Sequence, residues 1–261
     1  MEYDSSETMK IIQQYWGAAA PDFSQLIYED LQPERKKVWL NKILSNAPQK
    51  EQMDILDAGT GPGYFAIILS EAGHRVTAID CTEEMILEAK KNLDKANVSA
   101  RLLIMDSQHL NFGEESFDLI VSRNVVWTLC DPVGAYREWL RVLRPGGRII
   151  IFDANYGMYC FDKKIEEQKK SDEALYRQLY GSLPKKRVQM NEYFERMYLS
   201  DKKRPDWDEN ILNLLGAKTF IERDVSYELI PPPRRLLNAS SPLFMVVAEK
   251  IACNDKASRT I

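Results

Sequence analysis

The stretch that decides the fold is Ile55-Leu56-Asp57-Ala58-Gly59-Thr60-Gly61-Pro62-Gly63. It has the pattern of a β-strand that enters a glycine-rich turn, and the apolar run from Phe65 to Leu69 predicts a helix after it. Glycines permit positive φ angles and a close approach of a ligand to the backbone, and a helix N-terminus offers free N–H groups. The stretch therefore predicts a strand, a ligand-binding loop and a helix in succession.

The spacing of these glycines excludes a dinucleotide fingerprint. That motif needs G-x-G-x-x-G, whereas the third glycine here, Gly63, comes one position early and Tyr64 stands where the motif has glycine. Asp57 also places a carboxylate at the entrance of the loop, where it would repel a pyrophosphate and attract an ammonium group. The loop therefore favours a ligand that carries a positive charge.

The alternation of strand and helix continues downstream. Asp131 and Pro132, for example, are typical of an N-cap and a first helical position. The further predicted strands are 75–79, 102–105, 117–121, 148–152, 219–230 and 244–248, with helices at 82–93, 131–143 and 208–215. Because strands that alternate with helices imply βαβ units, the fold class is α/β with a doubly wound, mostly parallel sheet.

The segments that flank this core differ from it in character. Residues 8–44 predict two helices with a break around Gly17 to Pro21, residues 156–205 predict a helical insertion, and Pro231-Pro232-Pro233 predicts a stiff connection. The expected organisation is an N-terminal helical lid at 1–50, a cofactor-binding α/β core at 51–156, a helical substrate-recognition insertion at 157–205, the C-terminal part of the sheet at 206–250 and a tail at 251–261.

The composition narrows the class of protein. The 261 residues include 39 acidic and 35 basic side chains with a net charge of −4, whereas nucleic-acid-binding domains are usually strongly basic. No stretch approaches the ~18 uninterrupted apolar residues of a membrane span, and the N-terminus is acidic where a secretory signal is positive. The four cysteines lack paired C-x-x-C spacing. We therefore expect a cytoplasmic protein without a membrane segment or a metal site.

Three carboxylates come at the ends of three successive predicted strands. Asp57 ends the first, and Asp80 ends the second, at the position from which a carboxylate can accept both ribose hydroxyl hydrogens. Asp106 ends the third, where it would accept from an adenine amino group, and Ser107 and Gln108 follow it. The carboxyl ends of the strands border the crevice in which open α/β sheets bind ligands, so the three acids predict a nucleoside site.

Taken in order, these motifs resemble the class I S-adenosylmethionine-dependent methyltransferases, and most of all their small-molecule, type 11 branch. The likeness spans about residues 53–153 and rests on the first stretch quoted above and on Ala78-Ile79-Asp80, Met105-Asp106-Ser107-Gln108, Phe117-Asp118-Leu119-Ile120-Val121-Ser122 and Leu143-Arg144-Pro145-Gly146-Gly147. It implies a Rossmann-like methyltransferase fold of seven strands with the last one antiparallel. It also implies S-adenosylmethionine as cofactor and methyl transfer to a small-molecule acceptor.

The resemblance implies a cofactor role for individual residues. The methionine moiety is expected beside Asp57, Gly59, Thr60, Gly61 and Gly63, and the ribose at Asp80. The adenine is expected to pack on Cys81 or Met85 and to meet Asp106, Ser107 and Gln108 with its edge. The sulfonium is expected to face Ser122 and Arg123. Tyr15 and Trp16 either bury the N-terminal helix against the sheet or close over the cofactor.

The acceptor is expected between the ends of the fourth and fifth strands. The residues there are Arg123, Asn124, Trp127, Tyr156 and Tyr159. An aromatic wall with an arginine suggests a small acceptor with an apolar body and a carboxylate, unless Arg123 pairs with a local acid such as Asp118 or Asp131. Methyl transfer depends on in-line positioning, so a thiolate or an amine needs no base. If the reaction uses a base, Asp153 or Tyr156 is the candidate.

Two other functions stay open at this point. The basic runs Lys185-Lys186-Arg187 and Lys202-Lys203-Arg204 allow a tRNA or rRNA methyltransferase, although such runs are usually solvated and nucleic acid is not the expected partner. A non-catalytic sensor that binds S-adenosylmethionine is the other alternative. The pattern leaves the acceptor, the methylated atom, the oligomeric state and the pathway undetermined.

Overall fold

A single seven-stranded sheet organises the protein, whose computed structural model describes residues 5–184 and 197–252. The strands are β1 (Asp54–Ala58), β2 (Arg75–Asp80), β3 (Arg101–Ile104), β4 (Phe117–Arg123), β5 (Leu143–Asp153), β6 (Ala217–Glu222) and β7 (Phe244–Lys250). Their order in the sheet is β3-β2-β1-β4-β5-β7-β6. The pairs from β3 to β5 are parallel, and β7 is antiparallel to β5 and to β6. The predicted doubly wound sheet with an antiparallel last strand is confirmed.

Helices cover both faces of this sheet. They are α1 (Ser5–Asp30), α2 (Pro33–Asn46), α3 (Tyr64–Glu71), α4 (Glu83–Ala96), α5 (Pro132–Val142), α6 (Lys163–Tyr180), α7 (Asp206–Leu214), α8 (Ser226–Leu229) and α9 (Pro232–Leu237), with 3₁₀ turns at Val126–Thr128 and Met158–Cys160. Alternate residues of a strand point to opposite faces, so Leu119 of β4 joins one buried apolar cluster with Trp39, and Ile120 joins the other with Trp139. The core therefore has two layers, one on each side of the sheet.

The strand order places the crevice beside β1. β2 pairs with β1 on one side and β4 pairs with it on the other. The helices that follow β1 and β4, α3 and α5, pack on opposite faces of the sheet. The register pairs Ala58 with Ile79 and Asp57 with Val121. The carboxyl ends of β1, β2 and β4 therefore lie together at one edge of the sheet.

The expected break around Gly17 to Pro21 is wrong, because α1 is one continuous helix. Its buried stripe includes Ile12 and Ile27, on either side of Pro21. A Cβ at Gly17 would lie only 2.8 Å from Oε2 of Glu84 in α4. The glycine thus leaves room for the carboxylate of Glu84, and tertiary packing of α1 overrides the local helix-breaking signals.

The predicted strand 219–230 is too long. β6 ends at Glu222, and the backbone N–H of Ser226 donates to Oδ1 of Asp224 at 2.8 Å as the chain enters the short helix α8. Pro231-Pro232-Pro233 is not a stiff connection between strands, because α9 begins at Pro232. Proline is tolerated in the first turn of a helix, where the missing N–H has no partner to lose.

The segment after β5 is described in part and contains the turn Met158–Cys160 and α6. Residues 185–196, with the basic run Lys185-Lys186-Arg187, and the tail residues 253–261 lie outside the described residues. In the ranges that are described, no helix has both the length and the apolar character that crossing a bilayer requires.

Candidate functional site

Several N–H groups of the loop between β1 and α3 donate hydrogen bonds within the chain. The N–H groups of Gly59 and Thr60 donate to the carbonyl of Ile79 at 2.9 and 2.8 Å. In the first turn of α3, the N–H of Ala66 donates to Oδ2 of Asp57 at 3.1 Å. The expectation of free N–H groups at this helix start is therefore wrong for Ala66. A carboxylate of the chain already occupies the position in which a helix N-terminus would hold an anion.

Asp57 lies beneath the loop and is only 2 % exposed. Its Oδ2 also accepts a hydrogen bond from Oγ1 of Thr60 at 2.6 Å. Burial raises the pKa of the Asp57 carboxyl to about 7, although the hydrogen bonds from Thr60 and Ala66 oppose that rise. Because Asp57 lines the cleft, a cation bound there would favour the ionised carboxylate.

Two glycines of the loop are required by close packing. Gly59 has a φ of +76°, and a Cβ on it would lie 2.3 Å from Cγ2 of Val125, in the loop that follows β4. Gly63 has a φ of +93°, and its Cβ would lie 3.2 Å from Cβ of Ala89 in α4. Gly59 thus lets the loops after β1 and β4 meet, and Gly63 lets α3 start against α4.

Asp80, at the end of β2, organises the neighbouring loop and lines the cleft. Its Oδ2 accepts from the N–H of Gly61 at 3.0 Å, and its Oδ1 accepts from N and Oγ1 of Thr82 at 3.0 and 2.9 Å. Burial raises the pKa of Asp80, and these hydrogen bonds oppose the rise. A carboxylate has further lone pairs, so it can still accept hydrogen bonds from ligand hydroxyls.

The predicted adenine side of the cleft is built from the loops after β2 and β3. Cys81, Met85, Asp106 and Ser107 line the cleft, and Met85 is 3 % exposed. Gln108 is buried away from the lining, where its Nε2 donates to Oδ1 of Asp106 at 3.0 Å. It orients Asp106 and the start of α5 and does not itself face the cleft.

Helix α1 forms the wall opposite the loops. Its residues that line the cleft are Met9, Ile12, Trp16, Phe23 and Ile27. Nε2 of Gln13 donates to the carbonyl of Cys81 at 3.2 Å. Nδ2 of Asn92 in α4 donates to Oγ of Ser24 at 3.0 Å and to the carbonyl of Pro62 at 2.9 Å. The helix is thereby tied to both loops on which the cofactor is expected.

An aromatic group lies at one end of this wall. The ring centroid of Trp16 is 5.1 Å from that of Tyr15 and 6.2 Å from that of Trp127, which is 5.2 Å from that of Tyr156. Tyr159 packs against the same group. Only Trp16 of these five residues lines the cleft, so the others support its rim.

The predicted site residues divide into two sets. Those that line the cleft are Trp16, Asp57, Gly59, Thr60, Gly61, Asp80, Cys81, Met85, Asp106, Ser107, Arg123 and Asn124. Those that lie outside its lining are Tyr15, Gly63, Gln108, Ser122, Trp127, Asp153, Tyr156 and Tyr159. Ser122 is fully buried between strands, where its Oγ donates to the carbonyl of Ala58 at 3.0 Å, so it does not face a sulfonium.

Arg123 lines the cleft and is paired with an acid that the sequence did not single out. Its Nη2 lies 3.0 Å from Oδ2 of Asp30, at the end of α1. Its guanidinium carbon lies 4.4 Å from the ring centroid of Trp39. Asp118 and Asp131, the predicted partners, instead pair with Lys50 and Arg144 and cap α5, respectively. The pairing joins elements far apart in sequence, so no local pattern could have indicated it.

Asp153, one of the two predicted bases, belongs to a buried charge network. Its Oδ2 accepts from Nη1 of Arg204 at 2.7 Å and from the N–H of Trp127 at 3.0 Å. Arg204 also donates to Asp208 at 2.9 Å, and all three charged side chains are at most 1 % exposed. Asp153 thus faces a guanidinium and holds the acceptor-side loop, which argues against a role as general base.

Tyr156, the other predicted base, is also occupied. Its hydroxyl donates to Oδ1 of Asn124 at 2.8 Å, and burial raises its pKa well above the usual value for tyrosine. A phenol with a raised pKa is a weaker acid and stays protonated at neutral pH. The hydrogen bond instead fixes Asn124, whose φ of +58° places it in the left-handed region at the cleft.

Comparison with known proteins agrees with this architecture. Residues 56–151 match a family described as "Methyltransferase domain". The chain is 30% identical over 158 residues, 59% of each chain, to an S-adenosyl-L-methionine-dependent Diels-Alderase of Neonectria sp.. It is 33% identical over 139 residues, 53% of this chain and 51% of the relative, to a malonyl-[acyl-carrier protein] O-methyltransferase of Erwinia billingiae. The chain spans about half the length of the curated relatives it matches.

A solved structure shows the same fold over most of the chain. A SAM-dependent methyltransferase from Aquifex aeolicus superposes with a TM-score of 0.54 at 20% identity, covering 87% of this chain and 98% of that one. The sheet order and the cleft define a class I, Rossmann-like methyltransferase fold. Within it, residues 56–151 are a domain of the S-adenosylmethionine-dependent methyltransferase family, which confirms the resemblance drawn from the sequence.

Proposed function

We propose that the whole chain transfers the methyl group of S-adenosylmethionine to a small-molecule nucleophile, such as a thiol or an amine. One observation carries this proposal: the loop after β1, Asp80 and the wall of α1 enclose a single cleft at the carboxyl edge of the sheet. Most of the residues for which the resemblance implies cofactor contact line this cleft.

The cleft residues suit the chemical groups of the cofactor. The carboxylate of Asp57 would attract the ammonium group, and that of Asp80 would accept from ribose hydroxyls. Met85 offers a polarisable apolar surface for adenine, whose edge would meet Asp106 and Ser107. When bound, S-adenosylmethionine supplies an electrophilic methyl group on a positively charged sulfur.

The main contribution of the chain to catalysis is to orient the reacting groups and to shelter them from water. Helix α1 forms one wall of the cleft and is tied to the loops on the other side through Gln13 and Asn92. This wall would shelter the reacting groups from water. Both predicted bases, Asp153 and Tyr156, are engaged elsewhere. We therefore infer an acceptor that is nucleophilic without proton removal by a side chain, and a rate that depends on in-line orientation.

A second candidate is cyclisation of a bound substrate in the same cleft without methyl transfer. The relative named as a Diels-Alderase, matched over 158 residues, supports it. The aromatic and aliphatic lining from α1 would shape an apolar substrate equally well. The two candidates differ in one product, because only methyl transfer converts S-adenosylmethionine to S-adenosylhomocysteine.

The RNA-methylating alternative loses part of its support. Arg204, the last residue of the run Lys202-Lys203-Arg204, is buried between two carboxylates, and Lys202 pairs with Asp201. This run therefore contributes little basic surface to an RNA. The other run, at 185–187, lies outside the described residues.

Calorimetric titration with S-adenosylmethionine, S-adenosylhomocysteine and NAD tests the cofactor. We expect micromolar binding of the first two, weakened at least about tenfold by Asp80→Ala because charge-assisted hydrogen bonds to the ligand are lost. Asp94→Ala, which removes an exposed carboxylate of α4, is the matched control and should bind normally. Near-ultraviolet circular dichroism checks that both variants are folded.

Turnover is then followed as S-adenosylhomocysteine released in the presence of a panel of small thiols and amines. Release that depends on an acceptor supports methyl transfer. Cofactor binding without release on any acceptor would favour the cyclase or the sensor. Binding of NAD, or of none of the three ligands, would contradict the proposal.

A further inference from the structure

Three arginines surround one buried carboxylate beside the cleft. Asp30 ends α1, and its side chain is 3 % exposed. Oδ1 of Asp30 accepts from Arg234 of α9 and lies 3.8 Å from Nη2 of Arg35 in α2, and Oδ2 lies 3.0 Å from Nη2 of Arg123 in β4. We call Asp30, Arg35, Arg123 and Arg234 the guanidinium cluster. It joins the adjacent helices α1 and α2 to β4 and α9, which are distant from them in sequence.

The cluster carries more positive than negative charge. Three guanidinium groups face the one carboxylate of Asp30. Within the described residues, one other side chain bonds to Asp30: the hydroxyl of Tyr64 donates to its backbone carbonyl at 3.2 Å. Burial lowers the pKa of Arg35, and repulsion from Arg123 and Arg234 lowers it further. Bringing like charges together in a half-buried position is costly unless an anion compensates them.

The cluster also has more hydrogen-bond donors than acceptors. Nε of Arg35 is buried and has no hydrogen-bond partner in the described parts of the chain. Buried donors without partners are uncommon in folded proteins and call for an explanation, such as a ligand. The unpaired donor and the excess positive charge are independent observations, and both favour binding of an anionic group.

Arg123 connects this cluster to the cleft. It lines the cleft, and the faces of Trp39 and Tyr64, at 4.4 and 5.1 Å from its guanidinium carbon, hold its orientation. Phe23 and Phe65 line the same cleft and supply apolar surface. A molecule that reached Arg123 from the cleft would therefore place a charged end on a guanidinium and an apolar body on aromatic rings.

We propose that the methyl acceptor carries a carboxylate or a phosphate on an apolar body, and that Arg123, reinforced by Arg35 and Arg234, binds this anion. The inference rests on the proposed function and names the class of its substrate. Both anions present oxygens in the geometry that a guanidinium fork matches. Asp30 keeps the three arginines together when no acceptor is present.

The test compares charged and neutral probes that carry a phenyl ring, on protein saturated with S-adenosylhomocysteine. The probes are 4-phenylbutyrate, phenyl phosphate and 4-phenylbutyramide, the uncharged match of the first. Binding is followed by calorimetry. We expect at least one of the two anions to bind about tenfold or more tightly than the amide. The anion that binds more tightly indicates whether the site prefers a carboxylate or a phosphate. Equal binding of all three probes would overturn the inference.

Two neighbouring arginines of α9 provide a matched pair of variants. Arg234→Gln should reduce the preference for the anion about tenfold, whereas Arg235→Gln should leave it unchanged because Arg235 lies over the ring of Tyr227, at 4.2 Å. Equal effects of the two variants would refute the role of the cluster. If Arg234→Gln does not fold, Asp30→Asn is tested instead. This variant lacks the carboxylate that the three arginines share, so the anionic probe should raise its Tm by more than it raises the Tm of the parent protein.

A further experiment distinguishes a role of Arg123 in acceptor binding from a role in cofactor binding. Arg123→Gln should leave the affinity for S-adenosylhomocysteine unchanged and abolish the preference for the anionic probe. Weaker binding of S-adenosylhomocysteine together with normal binding of 5′-methylthioadenosine, which lacks the amino-acid group, would assign Arg123 to the cofactor carboxylate and overturn the inference. Failure of S-adenosylhomocysteine to bind the parent protein would instead refute the proposed function.

Discussion

Substitution of Gly59 tests the packing that shapes the cofactor loop. An added Cβ would lie 2.3 Å from Cγ2 and 2.7 Å from Cγ1 of Val125, and the φ of +76° is one that side-chain-bearing residues rarely adopt. Gly73, after α3, has a comparable φ of +88°, but a Cβ there would meet no described atom within 4 Å. Gly59→Ala therefore combines strain and collision, whereas Gly73→Ala has the strain alone.

These two contributions have different magnitudes. The left-handed conformation costs an alanine about 1–2 kcal/mol relative to glycine. Forcing an extra carbon into a packed site costs about 1–3 kcal/mol more. We expect Gly59→Ala to lower the free energy of unfolding by about 2–5 kcal/mol and Gly73→Ala by about 1–2 kcal/mol. Val125→Ala removes both colliding carbons and should recover the collision part only.

Urea unfolding of the parent protein, Gly59→Ala, Val125→Ala and the double variant forms a double-mutant cycle. The cycle measures the interaction energy between the two positions, which is the contribution of the collision. We expect a favourable coupling of about 1–3 kcal/mol between the two positions. Gly73→Ala and its combination with Val125→Ala provide the control, which should show additive effects. Equal losses for Gly59→Ala and Gly73→Ala, or no coupling at Val125, would refute this account of the loop.

Three further outcomes follow from the buried polar groups. Because a bound cation favours ionised Asp57, affinity for S-adenosylmethionine should rise with pH up to about 7, by at most about tenfold per pH unit, and calorimetry should find this dependence absent in Asp57→Asn. Arg204→Met leaves two carboxylates buried without a cation and should cost about 3–5 kcal/mol in urea unfolding, against almost nothing for exposed Lys203→Met. Asn92→Ala strands the carbonyl of Pro62 and should cost about 1–3 kcal/mol while increasing hydrogen exchange in α1.

Local chemistry made much of the fold predictable. Glycines in a turn, an aspartate with a proline at a helix start and apolar runs of strand length act within a few residues, so the order of strands and helices could be inferred. The same locality explains the errors. Gly17 and Pro21 break helices in isolation, but the buried stripe of α1, which includes Ile12 and Ile27, outweighs that tendency.

The site was predictable wherever the motif itself carries the function. Asp57 and Asp80 end strands, and the strands of a doubly wound sheet meet at one edge, so a linear pattern sufficed to place them together. The network around Asp153 was not predictable, because Arg204 comes from 51 positions away and stands in a run that looks like a solvated basic loop. No feature of that run distinguishes the one arginine that is buried.

The sequence by itself therefore determined the fold class, the family and the residues on which the cofactor is expected, because these depend on short-range backbone chemistry and on the order of motifs. The tertiary structure alone decided which charges meet. It placed Asp30 against Arg123, 93 positions away, and brought Arg234 to the same carboxylate from 204 positions away. Such pairs form because folding removes charges from water and each must find a partner, and the partner is chosen by packing and not by distance along the chain.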